Sequence, residues 1–85
     1  MTTPKIEIYT TPTCPDCSAL KRWLNARSLP FAEHDLLDPV VAEEAKARTG
    51  LRVAPITVIG GQVFYGTFAD QRPGIAAALG LTAAA

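Results

Sequence analysis

The stretch Thr13-Cys14-Pro15-Asp16-Cys17 carries both cysteines of this 85-residue chain, and it lies where an apolar run ends and helical periodicity begins. Proline fits the first position of a helix, where its missing N–H has no intrahelical partner to lose. A helix opening at Pro15 puts the Cys14 sulfur among amide groups that lack an acceptor within the helix. Both sides of the junction agree with that reading. Upstream, Ile6-Glu7-Ile8-Tyr9 alternates apolar and polar as a half-buried strand does, and Thr10 to Thr13, with Pro12, forms the turn. Downstream, Cys17, Leu20 and Leu24 share one helical face, with Lys21, Arg22 and Asn25 outward and Trp23 packing at the margin. Pro30 disfavours helical geometry at Leu29 and stops the helix.

The rest of the chain supplies a second strand, a second helix, a hairpin and a third helix. Phe31 to Leu36 reads as a strand interrupted by Glu33, His34 and Asp35, with His34 a strand-edge residue. Asp38-Pro39 is a cap followed by proline in the first turn, and Thr49-Gly50 is the matching stop. Glu43 and Glu44 early in that helix, and Lys46 and Arg48 late, suit the macrodipole and read as a solvated face. Pro55 to Ile59, Gly60-Gly61 and Gln62 to Tyr65 form the clearest hairpin signal, with Phe64 a packing residue. From about Asp70 to Leu81 the period returns to helical, with Ile75, Ala78 and Leu79 buried. Pro73 is tolerable within the first turn, which sets the start near Asp70. Residues 82–85 read as a frayed tail.

The resulting order is β-α-β-α-β-β-α in one domain spanning residues 1–85. Two strands joined through a helix pair in parallel with a right-handed crossover, and the hairpin pairs antiparallel. The fold class is α/β, a four-stranded mixed sheet flanked by helices. With Cys-x-x-Cys after the first strand, it resembles the thioredoxin-type arrangement.

Composition narrows the function. Hydrophobic residues make up 48% and charged residues 19%, enough for a packed core. Eight basic residues balance eight acidic ones, which leaves no field for nucleic acid or an anionic membrane surface. No apolar stretch is long enough to span a bilayer. Residues 1–5 lack a secretory pattern, so the cytoplasm is the expected compartment, where a close cysteine pair is reactive rather than a structural staple.

Thiol–disulfide exchange needs a thiolate, and a free thiol near pKa 8.5 is about 3% ionised at pH 7. A helix N-terminus that lowers the pKa to about 6 raises that fraction to roughly 90%. Cys14, ahead of the helix, is therefore the expected nucleophile. Cys17, one turn in and on the core stripe, is the expected resolving thiol. Thr13, Pro15 and Asp16 shape the site. The Asp16 carboxylate opposes thiolate formation by under about 1 kcal/mol in solvated surroundings, and disfavours acidic substrates. His34 is the single histidine and there is no third cysteine, so one chain cannot assemble a four-ligand N/S zinc site.

Cys14-Pro15-Asp16-Cys17, Ile8-Tyr9-Thr10, Val53-Ala54-Pro55 about forty residues on, and Gly66 together resemble the glutaredoxin family from about Lys5 to Leu81. The resemblance implies a cis peptide bond between Ala54 and Pro55 facing Cys14. It also implies a substrate surface made by Val53, Ala54, Pro55, Gly66, Thr67, Phe68 and Arg72, on which Ala54 pairs with an extended segment as a short added strand. Glutathione-using members carry a lysine ahead of the cysteines, an aromatic where this chain has Asp16, and paired acids after a Gly-Gly turn. Here Thr10 to Thr13 has no lysine, and Tyr65-Gly66-Thr67-Phe68-Ala69-Asp70 lacks the paired acids. Gly66, Phe68 and Arg72-Pro73 are similar to the Gly-Phe-Arg-Pro segment of NrdH-type redoxins, which take electrons from thioredoxin reductase and deliver them to ribonucleotide reductase. The expectation is a monomeric dithiol–disulfide oxidoreductase of that kind, with a redox-active Cys14–Cys17 disulfide and no tightly bound cofactor or metal. A glutathione-dependent glutaredoxin is the alternative within the family. An iron–sulfur cluster held between two chains, each giving one thiolate, is the alternative of another class.

Overall fold

A computed structural model describes residues 4–81. The element order is β1 (Ile6–Thr10), α1 (Pro15–Ala26), β2 (Ala32–Asp35), α2 (Pro39–Thr49), β3 (Ile56–Ile59), β4 (Gln62–Tyr65) and α3 (Phe68–Ala78). These are the seven elements expected, in the expected order. The sheet runs β2-β1-β3-β4. β1 pairs in parallel with β2, Ile8 opposite Glu33, and antiparallel with β3, Ile8 opposite Thr57. The hairpin closes tightly, with Ile59 opposite Gln62.

Alternation along β1 divides the core. Ile6 and Ile8 face α1 and α3, where they meet Leu20, Leu24, Ile59 and Ile75, with Trp23, Phe64, Phe68, Ala78 and Leu79 packed around them. Tyr9 points to the other face and joins Ile56, Val58 and Ala45 of α2. The sheet is thus a layer between α2 on one side and α1 with α3 on the other, and the α1 stripe Cys17, Leu20, Leu24 is buried as its spacing predicts. Asp38 caps α2 through Val40 N–H at 2.9 Å, and Gly50 ends it in the left-handed region.

The charged face of α2 is not merely solvated. Arg48 Nη2 donates to Glu7 Oε2 at 2.7 Å and Arg48 Nη1 to the Tyr9 hydroxyl at 3.2 Å, which in turn donates to Glu44 Oε1 at 3.3 Å. The pairing ties α2 to β1 and holds the Glu7 carboxyl down at about 2, with Arg48 as first cause. His34 does lie at the β2 edge, its Nε2 3.3 Å from Glu7 Oε1.

The third helix departs from expectation at both ends. It starts at Phe68 rather than Asp70, because the Thr67 hydroxyl caps it by accepting from Asp70 N–H at 3.1 Å. Pro73 therefore lies in the second turn and removes the bond to the Ala69 carbonyl, a defect of about 3 kcal/mol in an ordinary helix interior. Ala69 and Pro73 are both exposed, so the missing bond is on the solvent side. The helix stops at Ala78 instead of Leu81, closed by Leu81 N–H on the Ala76 carbonyl at 2.8 Å. Smaller shifts trim β2 by one residue at each end and start β3 after Pro55. The reading of a frayed tail lies outside the described residues.

Candidate active site

Pro15 occupies the first position of α1 and Cys14 is its N-cap, with extended backbone. The cap acceptor is the sulfur itself: Cys17 N–H donates to Cys14 Sγ at 3.1 Å. An N-cap normally uses a side-chain oxygen for this, and a sulfur accepts well when it carries negative charge. Ser18 N–H, one residue on, is taken by the Cys14 carbonyl at 3.1 Å. The junction thus directs a backbone donor and the positive end of the helix at one sulfur.

The two thiols differ in access. Both are free, Cys14 half-buried and Cys17 1% exposed. Burial pushes the Cys17 thiol up to about 12, and its contact with Cys14 adds to the rise. A backbone hydrogen bond with Thr11 and the charge of Lys21 act in the opposite direction and are outweighed. One sulfur is open to an incoming disulfide, and the other is held protonated behind it.

Asp16 has a second attachment that its sequence position does not reveal. Its Oδ1 accepts from Phe68 N–H at 3.1 Å, joining the first turn of α1 to the first residue of α3. This bond brings Phe68 beside Asp16, the residue next to Cys17 in the cysteine turn. Phe68 in turn packs on Trp23, ring centroids 6.0 Å apart, and the Arg27 guanidinium lies over the Trp23 ring at 4.5 Å. Gly66 has φ +102°, a conformation that L side chains rarely adopt.

The Ala54–Pro55 peptide bond is cis. Pro55 is buried, while Val53 is exposed and Ala54 half-buried. Val53 and Ala54 line a cavity of about 320 Å³ whose lining also includes Leu36, Leu51 and the charged Glu43, Lys46 and Arg52. Thr13 is exposed in the turn before Cys14. Arg72 is exposed on α3, and no hydrogen bond or ion pair among the described residues joins it to the other candidate residues. Among the described residues, no cluster of three or more His, Cys, Asp or Glu side chains has the arrangement to hold a metal ion. No helix among the described residues is long and apolar enough to cross a membrane.

The sequence reading passed over one residue here. Gln71, 2% exposed in α3, donates through Nε2 to the carbonyls of Pro55 at 2.8 Å and Gly66 at 3.0 Å. Its Oε1 accepts from the Thr57 hydroxyl at 2.7 Å. The available signal was a polar residue four positions ahead of Ile75 on the buried stripe.

The glutaredoxin family model matches residues 6–64, from the first strand through the cysteine pair and the cis proline to the hairpin. The chain belongs to the glutaredoxin family. A glutaredoxin-like 8.6 kDa protein of Clostridium pasteurianum, from a rubredoxin operon, is 31% identical over 62 residues, 72% of this chain and 83% of that one. The thioredoxin-like protein BC3987 superposes with a TM-score of 0.78 at 29% identity, over 88% of this chain and 100% of its own. The glutaredoxin-like NrdH-redoxin of Escherichia coli, described as having a thioredoxin-like activity profile, gives a TM-score of 0.65 at 31% identity over 75% of this chain and 83% of that one. The chain therefore has the thioredoxin-like α/β fold with its Cys14/Cys17 pair at the opening of α1.

Proposed function

We propose that this chain is a dithiol–disulfide oxidoreductase that reduces a protein disulfide, with Cys14 as nucleophile and Cys17 as resolving thiol. The observation that carries the reading is the Cys17 N–H donated to a half-buried Cys14 Sγ while Cys17 itself is buried. The Cys14 thiolate attacks one sulfur of the substrate disulfide. The S–S bond breaks, and the departing sulfur leaves as a thiolate that takes up a proton. Cys14 is now in a mixed disulfide. Cys17 gives up its proton and attacks Cys14 Sγ, releasing the second substrate thiol and leaving a Cys14–Cys17 disulfide. Two electrons have passed to the substrate, and a reductant must return them.

Within this reading, thioredoxin reductase is the reductant rather than glutathione, and ribonucleotide reductase or a similar disulfide-containing protein is the recipient, in the cytoplasm and with the redoxin acting as a monomer. The likeness to the Escherichia coli NrdH-redoxin supports it. So does Asp16, whose carboxylate already takes the Phe68 amide at the opening of α3. A ligand carboxylate entering there meets a like charge and a donor in use. Two NADPH-coupled assays on the oxidised protein test the choice, one with thioredoxin reductase and one with glutathione plus glutathione reductase. Turnover is expected in the first, and turnover confined to the second reverses the assignment.

A further inference from the structure

The hairpin register puts Ile56 opposite Tyr65, so the next rung of the ladder falls at Pro55 and Gly66. That rung cannot form in the ordinary way. Pro55 has no N–H to give the Gly66 carbonyl. Gly66, at φ +102°, turns the chain away into α3. Two carbonyl groups are left without ladder partners at the place where the sheet opens. The Gln71 amide spans the opening, with one nitrogen serving both carbonyls, at 2.8 and 3.0 Å. Its Oε1 accepts from the Thr57 hydroxyl at 2.7 Å on the side away from the opening, and the nitrogen cannot exchange places with the oxygen without losing both carbonyl bonds. Filling the space alone would not require this. A leucine or methionine packs as well on the Ile75 stripe, and it avoids burying an amide whose every hydrogen bond must be met.

Resting on the dithiol reading above, we infer that Gln71 is a positioning residue for polypeptide substrates, setting the Ala54–Pro55 segment against Gly66–Phe68. Those two segments carry candidate substrate-contacting residues on either side of the opening. Asp16, through Phe68, ties the second segment to the cysteine turn. Gln71 completes the connection by tying the first segment to the second. A disulfide within an extended chain needs both segments in register to pair with Ala54. A small disulfide needs only the Cys14 sulfur. The substrate class served by Gln71 is therefore a disulfide embedded in polypeptide.

The test uses pre-reduced full-length protein in single-turnover oxidation by two probes, insulin and the small aromatic disulfide DTNB. For Gln71→Met the half-saturating concentration of insulin is expected to rise about tenfold, with its limiting rate and the DTNB rate each within twofold of wild type. Equal losses on both probes, or no loss on insulin, overturn the inference. Thr57→Val removes the hydroxyl that donates to the amide and keeps the side-chain volume, so it provides a milder second variant. It is expected to raise the insulin half-saturation two- to threefold with the DTNB rate unchanged, and parallel changes on both probes again overturn the inference. Wild-type protein inert toward DTNB refutes the dithiol reading itself, and the inference with it. An active wild type with unselective variants refutes the inference alone.

Discussion

The burial of Cys17 makes the resolving step sensitive to pH. In the free dithiol, burial and the neighbouring Cys14 push the Cys17 thiol up to about 12. Once Cys14 is in a mixed disulfide its charge and hydrogen bond are gone, while burial, the larger cause, stays. The Cys17 thiol in that intermediate is thus expected to stay raised above an ordinary thiol by burial. At pH 7 its thiolate fraction is then below the roughly 3% of a free thiol. The deficit is partly offset by the greater nucleophilicity of a high-pKa thiolate and by the proximity of Cys14 Sγ within the same turn. The rate of resolution is therefore expected to climb from pH 7 through pH 8, by up to about tenfold per unit, without a plateau in that range. Reaction with DTNB separates the two steps, because Cys14 releases one chromophore on attack and Cys17 releases the second on resolution. A second phase that is flat with pH, or levels off below pH 8, refutes the assignment of a buried, protonated resolving thiol.

Two further expectations concern stability. The Glu7 carboxyl is held at about 2 against an ordinary 4.5, so its contribution is full above pH 4.5 and is lost as pH falls through 2. The shift caps that contribution at roughly 3 kcal/mol, and the partial exposure of Arg48 cuts it to about 1–2 kcal/mol. Denaturant unfolding of Glu7→Gln should show that loss at pH 7 and a flatter acid limb; a variant as stable as wild type at pH 7 contradicts the pairing with Arg48. At Gly74 an added Cβ would lie 2.7 Å from Phe64 Cε1, so Gly74→Ala should destabilise by about 1–3 kcal/mol despite alanine's better helix propensity, as thermal unfolding would read. A rise in Tm would mean that Phe64 moves aside freely.

What the sequence showed and what it hid divide along the range of the interactions. The α1 stripe, the Asp38 cap, the Gly60-Gly61 turn and the placement of Cys14 ahead of Pro15 are all local, set by residues within a turn or a rung of one another. The start of α3 was also a local matter, but two signals competed, and the Thr67 cap prevailed over the preference of Pro73 for a first turn. Asp16 to Phe68, Arg48 to Glu7 and Gln71 to Pro55 join side chains to groups 16 to 52 residues away. No spacing rule reports such contacts. A charge on a helix face reads as solvated, and a glutamine on a buried stripe reads as an irregularity, until the fold brings their partners beside them. The cysteine pair was legible because its chemistry depends on a local feature, the opening of a helix. The contacts beyond it, such as Asp16 to Phe68, depend on segments far apart in the chain.

The central claim is that the two cysteines divide the reaction, and a paired substitution tests it most directly. Cys14→Ser and Cys17→Ser proteins are each mixed with a disulfide-containing polypeptide, and the products are resolved by mass under non-reducing conditions. Cys17→Ser is expected to accumulate a stable covalent adduct through Cys14, while Cys14→Ser forms none and reduces nothing. An adduct that accumulates on Cys14→Ser instead, or full activity retained by that variant, would contradict the assignment.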